Sequence, residues 1–167
     1  MNMPSTDINT SLTTLFSELV LGAPLGGGAF ILNSGDAGML RSLDQLSAAD
    51  ASRSVHDGAT IAAHAQHVRY GLSLMNRWAS EGGNPFMDAK WDEAWKTSRV
   101  NDAEWTEIRG GLGTEARRWL DALGASRDVS PAELSGMIGS VAHLAYHLGA
   151  IRQIAASARG PKDGTYA

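Results

Sequence analysis

The chain contains no cysteine. That absence removes a disulfide framework, a thiolate metal site and a Cys nucleophile together. It also has no block of one charge. Fourteen Lys and Arg stand against 18 Asp and Glu, a formal net charge of -4 with the signs scattered. Gripping a nucleic-acid backbone takes a basic patch or stripe, so nucleic acid is not an expected partner. No run of 18 apolar residues is present, and the first residues do not lead from a charged stretch into an apolar one. Neither a membrane span nor a secretory leader is therefore expected, and the reading is a soluble, cytoplasmic protein. Residues 25–29 are glycine-rich, but no Gly-Lys-Ser/Thr ending follows and no strand pattern precedes them, which excludes a phosphate loop. There is no Gly-x-Ser-x-Gly elbow for a serine hydrolase. The Glu-x-x-His motif of di-iron bundles is missing as well.

What is present is helical periodicity. The 167 residues carry no solenoid repeat and are read as one domain spanning 1–167. A first helix is expected over about residues 6–21, with Ile8, Leu12, Leu15, Phe16 and Leu19 on one side and Thr6 or Asp7 as cap. Residues 33–36 look like a cap before a short helix carrying Met39, Leu40, Leu43 and Leu46. A second long helix, about residues 60–79, presents Ile61, Ala65, Val68, Leu72 and Met75 as a stripe. Residues 86–100 read as irregular or as one short helix. A third long helix spans about 102–123, weakened by Gly110, Gly111 and Gly113. Ser130, Pro131 and Glu133 form a capping-box signature with proline at the first helical position. They open a fourth long helix reaching about residue 158, with Gly160 and Pro161 stopping it and a loose tail from about 160. No segment alternates like a strand. The fold class is all-α: a four-helix bundle with one or two short extra helices.

Histidine carries the chemistry. His143 and His147 stand four apart, which in a helix places them about 40° apart on one face and one turn apart along the axis. On the same wheel Ile154, Ile151, Leu144 and Leu148 flank them, while Arg152 and Gln153 fall outside the arc. The pair thus lies at the edge of the buried face. Two neutral imidazoles can share one metal ion, and a third would complete a site with an open position. His64 and His67 both border the stripe of the second helix, and periodicity alone does not choose between them. His56 precedes Asp57 and Gly58 in an expected solvated loop.

Five Trp against three Phe and three Tyr is an unusual balance. Trp78, Trp91, Trp95, Trp105 and Trp119 are expected in the core or an interface, with Trp78 or Trp91 as candidate walls of a cleft. Tyr70, Asn76 and Tyr146 are candidates to orient a ligand, each with an equally good surface or capping role.

Two stretches carry a resemblance. One is residues 60–68, Thr-Ile-Ala-Ala-His-Ala-Gln-His-Val; the other is residues 143–151, His-Leu-Ala-Tyr-His-Leu-Gly-Ala-Ile. A helical His upstream of His-x-x-x-His followed by an apolar residue and Gly resembles the DinB-like (YfiT-like) metalloenzyme family, and the helix order fits along most of the chain. The resemblance implies a four-helix bundle, commonly a homodimer, with three His on one divalent metal. Carried over, it makes His67, His143 and His147 the ligands and leaves His64 to touch a ligand or line the pocket. Ala150 stands where many members carry Gln. Zn²⁺ or Ni²⁺ would suit three imidazoles. Relatives of this fold include thiol-dependent transferases and isomerases, so the resemblance implies a low-molecular-weight thiol and a small-molecule substrate. A metal-dependent hydrolase is the alternative enzyme, and a non-catalytic metal-binding or dimerisation module the alternative from another class. No catalytic residue beyond the metal ligands is named by the sequence.

Overall fold

The structure is a computed structural model that describes residues 5–158, with residues 5–7 and 156 described by backbone alone. Among them the regular elements are all helical. Four helices are long: α1 (Ser5–Leu21), α4 (Ile61–Glu81), α6 (Asp102–Gly124) and α7 (Pro131–Ile154). Three are short: α2 (Met39–Asp44), α3 (Ala48–Ala51) and α5 (Trp91–Ala94). A 3-10 turn, Ala156–Ala158, follows α7.

Local chemistry explains where the long helices begin. Thr60 caps α4 by accepting the Ala63 N–H at 3.2 Å. Asn101 and Glu104 form a reciprocal capping box at α6, and Ser130 and Glu133 do the same at α7 with Pro131 in the first turn. Expected and observed starts agree at these three helices. α1 is described from Ser5 onward, and the side chains of Thr6 and Asp7, expected as its caps, lie outside the description. α7 ends at Ile154, short of residue 158, and the chain tightens into the 3-10 turn. Gly160, Pro161 and the expected tail lie outside the described residues.

α1 packs against α6 and α7, and α4 packs against the same two helices, which leaves α1 opposite α4 and α6 opposite α7. The apolar stripes meet at the centre: Phe16, Leu19, Ile61, Val68, Leu112, Leu144 and Ile151 are all buried there. Trp119 spans the core between the opposed helices, and its Nε1–H donates to Ser140 Oγ at 2.9 Å. A buried Trp is usually found with such a partner, because an unpaired indole N–H is costly away from water. Gly110, Gly111 and Gly113 do not interrupt α6. At Gly111 a Cβ would collide with the Arg69 guanidinium, so the missing side chain is what lets α4 lay Arg69 across α6.

The connection between α1 and α2 corrects one expectation. Residues 33–36 form a turn, closed by Asp36 N–H to Asn33 C=O at 3.0 Å, but the cap of α2 is Gly38 and no side chain serves it. Asp36 is instead buried and paired with Arg152 of α7 at 3.0 Å, while the same guanidinium donates to Ala37 C=O at 2.6 Å. Arg152, expected outside the buried arc, is drawn in by that carboxylate. Glu18 completes the anchoring, accepting the backbone N–H groups of Phe30, Ile31 and Leu32.

Candidate metal centre

Two helices supply four of the five histidines to one place. α4 brings His64 and His67, and α7 brings His143 and His147; His56 is exposed in a loop, as expected. His64, His67 and His147 are buried, and His143 is half-buried.

Their ring nitrogens converge. His143 Nε2 lies 3.1 Å from His67 Nε2 and 2.9 Å from His147 Nε2. One ligand atom from each of His67, His143 and His147 falls within 4.8 Å of the others, so these three residues could hold a metal ion. His64 does not join them. Its Nδ1 meets the far side of the His147 ring, Nδ1 to Nδ1 at 2.8 Å. The choice that periodicity left open is thus made by geometry: His67 reaches the cluster and His64 touches a member of it.

Hydrogen bonding alone serves this cluster poorly. A neutral imidazole nitrogen carries either one N–H or one lone pair. His143 Nε2 can therefore satisfy one neighbour, yet two approach it. Three lone pairs on one cation remove the conflict. In a tetrahedral site with metal–nitrogen bonds of 2.0–2.1 Å, ligand nitrogens stand about 3.3 Å apart. The separations from His143 to His67 and to His147 are a few tenths of an ångström shorter, within reach of small ring rotations.

The protonation states agree. Burial, followed by the proximity of His143 and His64, pushes the His67 imidazole down to about 4. Burial, followed by His143, His64 and His67, pushes His147 down to about 3. Burial lowers His64 and His143 as well. All four rings are neutral at pH 7, the form in which imidazole ligates. The proton shared by His64 and His147 also matters. Placed on His147 Nδ1, it leaves the Nε2 lone pair facing the cluster, which is how a neighbouring group commonly sets the tautomer of a ligating His.

Aromatic side chains hold the rings. Trp95 stacks on His67 with centroids 4.2 Å apart and planes at 26°, and Trp91 lies against the same ring at 5.3 Å. His67 Nδ1 is buried with no hydrogen-bond partner among the described residues, so stacking rather than a hydrogen bond orients this ring. Trp91 fulfils its candidacy as a cleft wall, whereas Trp78 packs edge-on to Phe86, one shell further out. The role of Trp95 was not anticipated. The one available signal was its spacing of four from Trp91, which puts both indoles on one side of a single helical turn. Tyr70 accepts the Lys90 N–H at 2.8 Å and Asn76 donates to Glu115, so both brace the scaffold. Tyr146 is exposed, edge-on to His147.

The assembly is an all-α scaffold with a convergent three-histidine cluster and a fourth His hydrogen-bonded to one of its members. No protein-family model, curated protein or solved structure matches the chain. No helix among the described residues is long and apolar enough to cross a membrane.

Proposed function

We propose that the protein binds one divalent metal ion, Zn²⁺ or Ni²⁺, through His67, His143 and His147, and that it is a DinB-like four-helix bundle acting as a thiol-dependent S-transferase or isomerase. The observation that carries the metal reading is the convergence of three neutral Nε2 atoms on a point where protons cannot satisfy them all. Bound by three neutral ligands, such an ion would keep its full +2 charge and lower the pKa of a coordinated water or thiol.

The chain's own residues define what else the site can do. His64 holds the tautomer of His147, and Trp91 and Trp95 cover His67 on its outer side. No carboxylate is hydrogen-bonded to any ring of the cluster among the described contacts. The ion would activate a bound water as well as a bound thiol. The thiol-transfer reading is preferred on the resemblance carried by residues 60–68 and 143–151, with hydrolysis by a metal-bound hydroxide and a non-catalytic metal module as the alternatives. Homodimerisation and a cytoplasmic location belong to the same proposal. Exposed Ile138 and Tyr146 on α7 and Phe30 in the α1–α2 connection give a partner copy apolar surface to cover.

The test is metal analysis of protein purified without an affinity tag, with anomalous scattering to place the ion. One equivalent is expected, in contact with His67, His143 and His147. The loaded protein is then assayed with glutathione, mycothiol and bacillithiol against a panel of electrophiles. Turnover requiring both metal and thiol supports the transferase reading; hydrolysis without thiol would replace it. Absence of metal at any stoichiometry, with added Zn²⁺ and Ni²⁺ both failing to bind, would overturn the metal reading itself.

A further inference from the structure

A cavity of about 240 Å³ opens beside His143, between α4 and α7. Val68, Leu72 and Met75 form its α4 side, Leu144 and Ser140 its α7 side, and Phe86 and Trp91 its outer wall. No charged side chain lines it. Its two polar residues are Ser140 and His143. The Ser140 hydroxyl is already used, donating to Met137 C=O at 2.7 Å and accepting from Trp119. His143 is the lining residue that also belongs to the histidine cluster.

Glycine makes the space. Gly71, Gly136 and Gly139 all border the cavity from helix interiors, where glycine costs helix stability and requires another reason to be present. At Gly71 a Cβ would sit 3.7 Å from His143 Cε1 and 3.9 Å from the Trp91 ring, in ordinary contact with both. At Gly139 a Cβ would meet nothing within 4 Å. Gly136 has a packing explanation, because a Cβ there would press on Trp78. Gly71 and Gly139 have none, and what their missing side chains leave is room. On the outer wall Phe86 and Trp91 lie nearly parallel, planes at 17° and centroids 6.1 Å apart, and present ring surface to it.

We infer that this cavity is the substrate pocket, and that it takes an uncharged small molecule bearing one planar aromatic ring, seated against Trp91 and the Gly71 and Gly139 backbone with its reactive end toward His143. An apolar protein cavity of about 150 Å³ accommodates benzene, so the volume here fits a substituted single ring or a compact bicycle. The lack of any charged lining group excludes a carboxylate or ammonium at the buried end. The inference rests on the proposed metal site for its catalytic meaning, but the pocket is made of protein atoms and binds without the ion.

Indole and 4-fluorotoluene serve as neutral ring probes and benzoate as the charged control, followed by Trp fluorescence and ¹⁹F NMR on metal-free and metal-loaded protein. Gly139→Leu fills the cavity from a helix position where a Cβ would meet nothing within 4 Å, and His147→Ala removes the metal without lining the cavity. Expected are saturable binding of both neutral probes with and without metal, at least tenfold weaker binding of benzoate, loss of probe binding in Gly139→Leu with metal content unchanged, and retained probe binding in His147→Ala. Probe binding unaltered by Gly139→Leu would overturn the inference, as would benzoate binding equal to the neutral rings. If wild type is a dimer, binds no probe, and becomes monomeric in Gly139→Leu, the occupant is a second copy of the chain and the inference fails. If metal fails to bind while the probes behave as expected, the metal reading falls and the pocket stands.

Discussion

At the scale of the residue, the four clustered histidines divide by which nitrogen they offer. His67, His143 and His147 turn Nε2 to a common point, while His64 meets Nδ1 of His147. Two variants should therefore differ in kind. Replacing His147 with Ala removes a proposed ligand and should abolish metal binding while the circular dichroism of the helices is kept, since the apolar stripes hold the fold. Replacing His64 with Ala removes only the hydrogen-bond partner of His147 and, under the proposed ligation, should weaken metal affinity about 10–100-fold. Equilibrium competition with a chelator separates the two outcomes. Equal loss in both variants would make His64 a fourth ligand. The His-x-x-x-His spacing was legible because a helix converts sequence distance into a common face. The choice between His64 and His67 was not legible from that face, because both border the same stripe and only the approach of α7 distinguishes them. Trp95 was legible only as a large apolar residue. Its stack on His67 joins positions 28 apart across a loop, and no local period encodes such a contact.

At the scale of the element, each long helix whose start was foreseen has a side chain that satisfies orphan N–H groups. The Ser130 box is the most complete. Ser130 N–H donates to Glu133 at 2.8 Å, Ser130 Oγ accepts from Glu133 N–H at 3.2 Å, and Arg127 binds the second carboxylate oxygen at 2.8 Å. The Ser130 N–H and then Arg127 hold the Glu133 carboxyl below the ordinary range. Ser130→Ala should cost about 1 kcal/mol and lower the melting temperature by about 2–4 °C, without altering metal content, because the cap lies three turns from His143. Thermal melts of metal-loaded and metal-free protein give both numbers. The short elements were harder to foresee. Three short helices occur where one or two were expected, and α2 has no side-chain cap. Their placement depends on tertiary anchors: Asp36 with Arg152, 116 residues apart, and Trp105 Nε1–H donating to Leu46 C=O at 2.8 Å, 59 residues apart. Pairings at such separations leave no trace in a window of one helix length.

At the scale of the molecule, the five tryptophans divide between the core and the histidine site. Trp105 and Trp119 fill the core, Trp91 and Trp95 cover the histidines, and Trp78 packs over Gly136 and Phe86. Trp95 is still partly exposed, and exposed Ile138, Tyr146 and Phe30 add apolar surface that a partner copy would cover. Sedimentation at micromolar concentration tests dimerisation. A stable dimer burying about 1,600 Å² should persist there, and a species of 17.7 kDa alone would remove dimerisation from the proposal.

The histidine cluster also couples stability of the whole chain to pH. His67 and His147 titrate at about 4 and about 3 in the folded protein, against an ordinary value of 6.5. Below pH 6.5 the unfolded chain takes up protons on these rings while the folded chain still excludes them, so each proton bound favours unfolding. The contribution is fully present above about pH 6.5 and is lost as pH falls toward 4 and then 3. Metal-free protein should therefore melt at progressively lower temperature across that window, and the double variant His67→Ala, His147→Ala should show a flatter profile. Bound metal adds a second, steeper dependence, since the ion holds the folded state alone and leaves as its ligands protonate. At a hundredfold excess over the dissociation constant it should contribute about 2.7 kcal/mol, or about 5–10 °C in melting temperature, at pH 7.5. That increment should shrink on acidification and vanish before the metal-free profile reaches its lowest point. Melting curves from pH 8 to pH 4, with and without Zn²⁺, decide the matter. A metal increment that stays constant across this range would mean that the ion is held by groups other than these imidazoles.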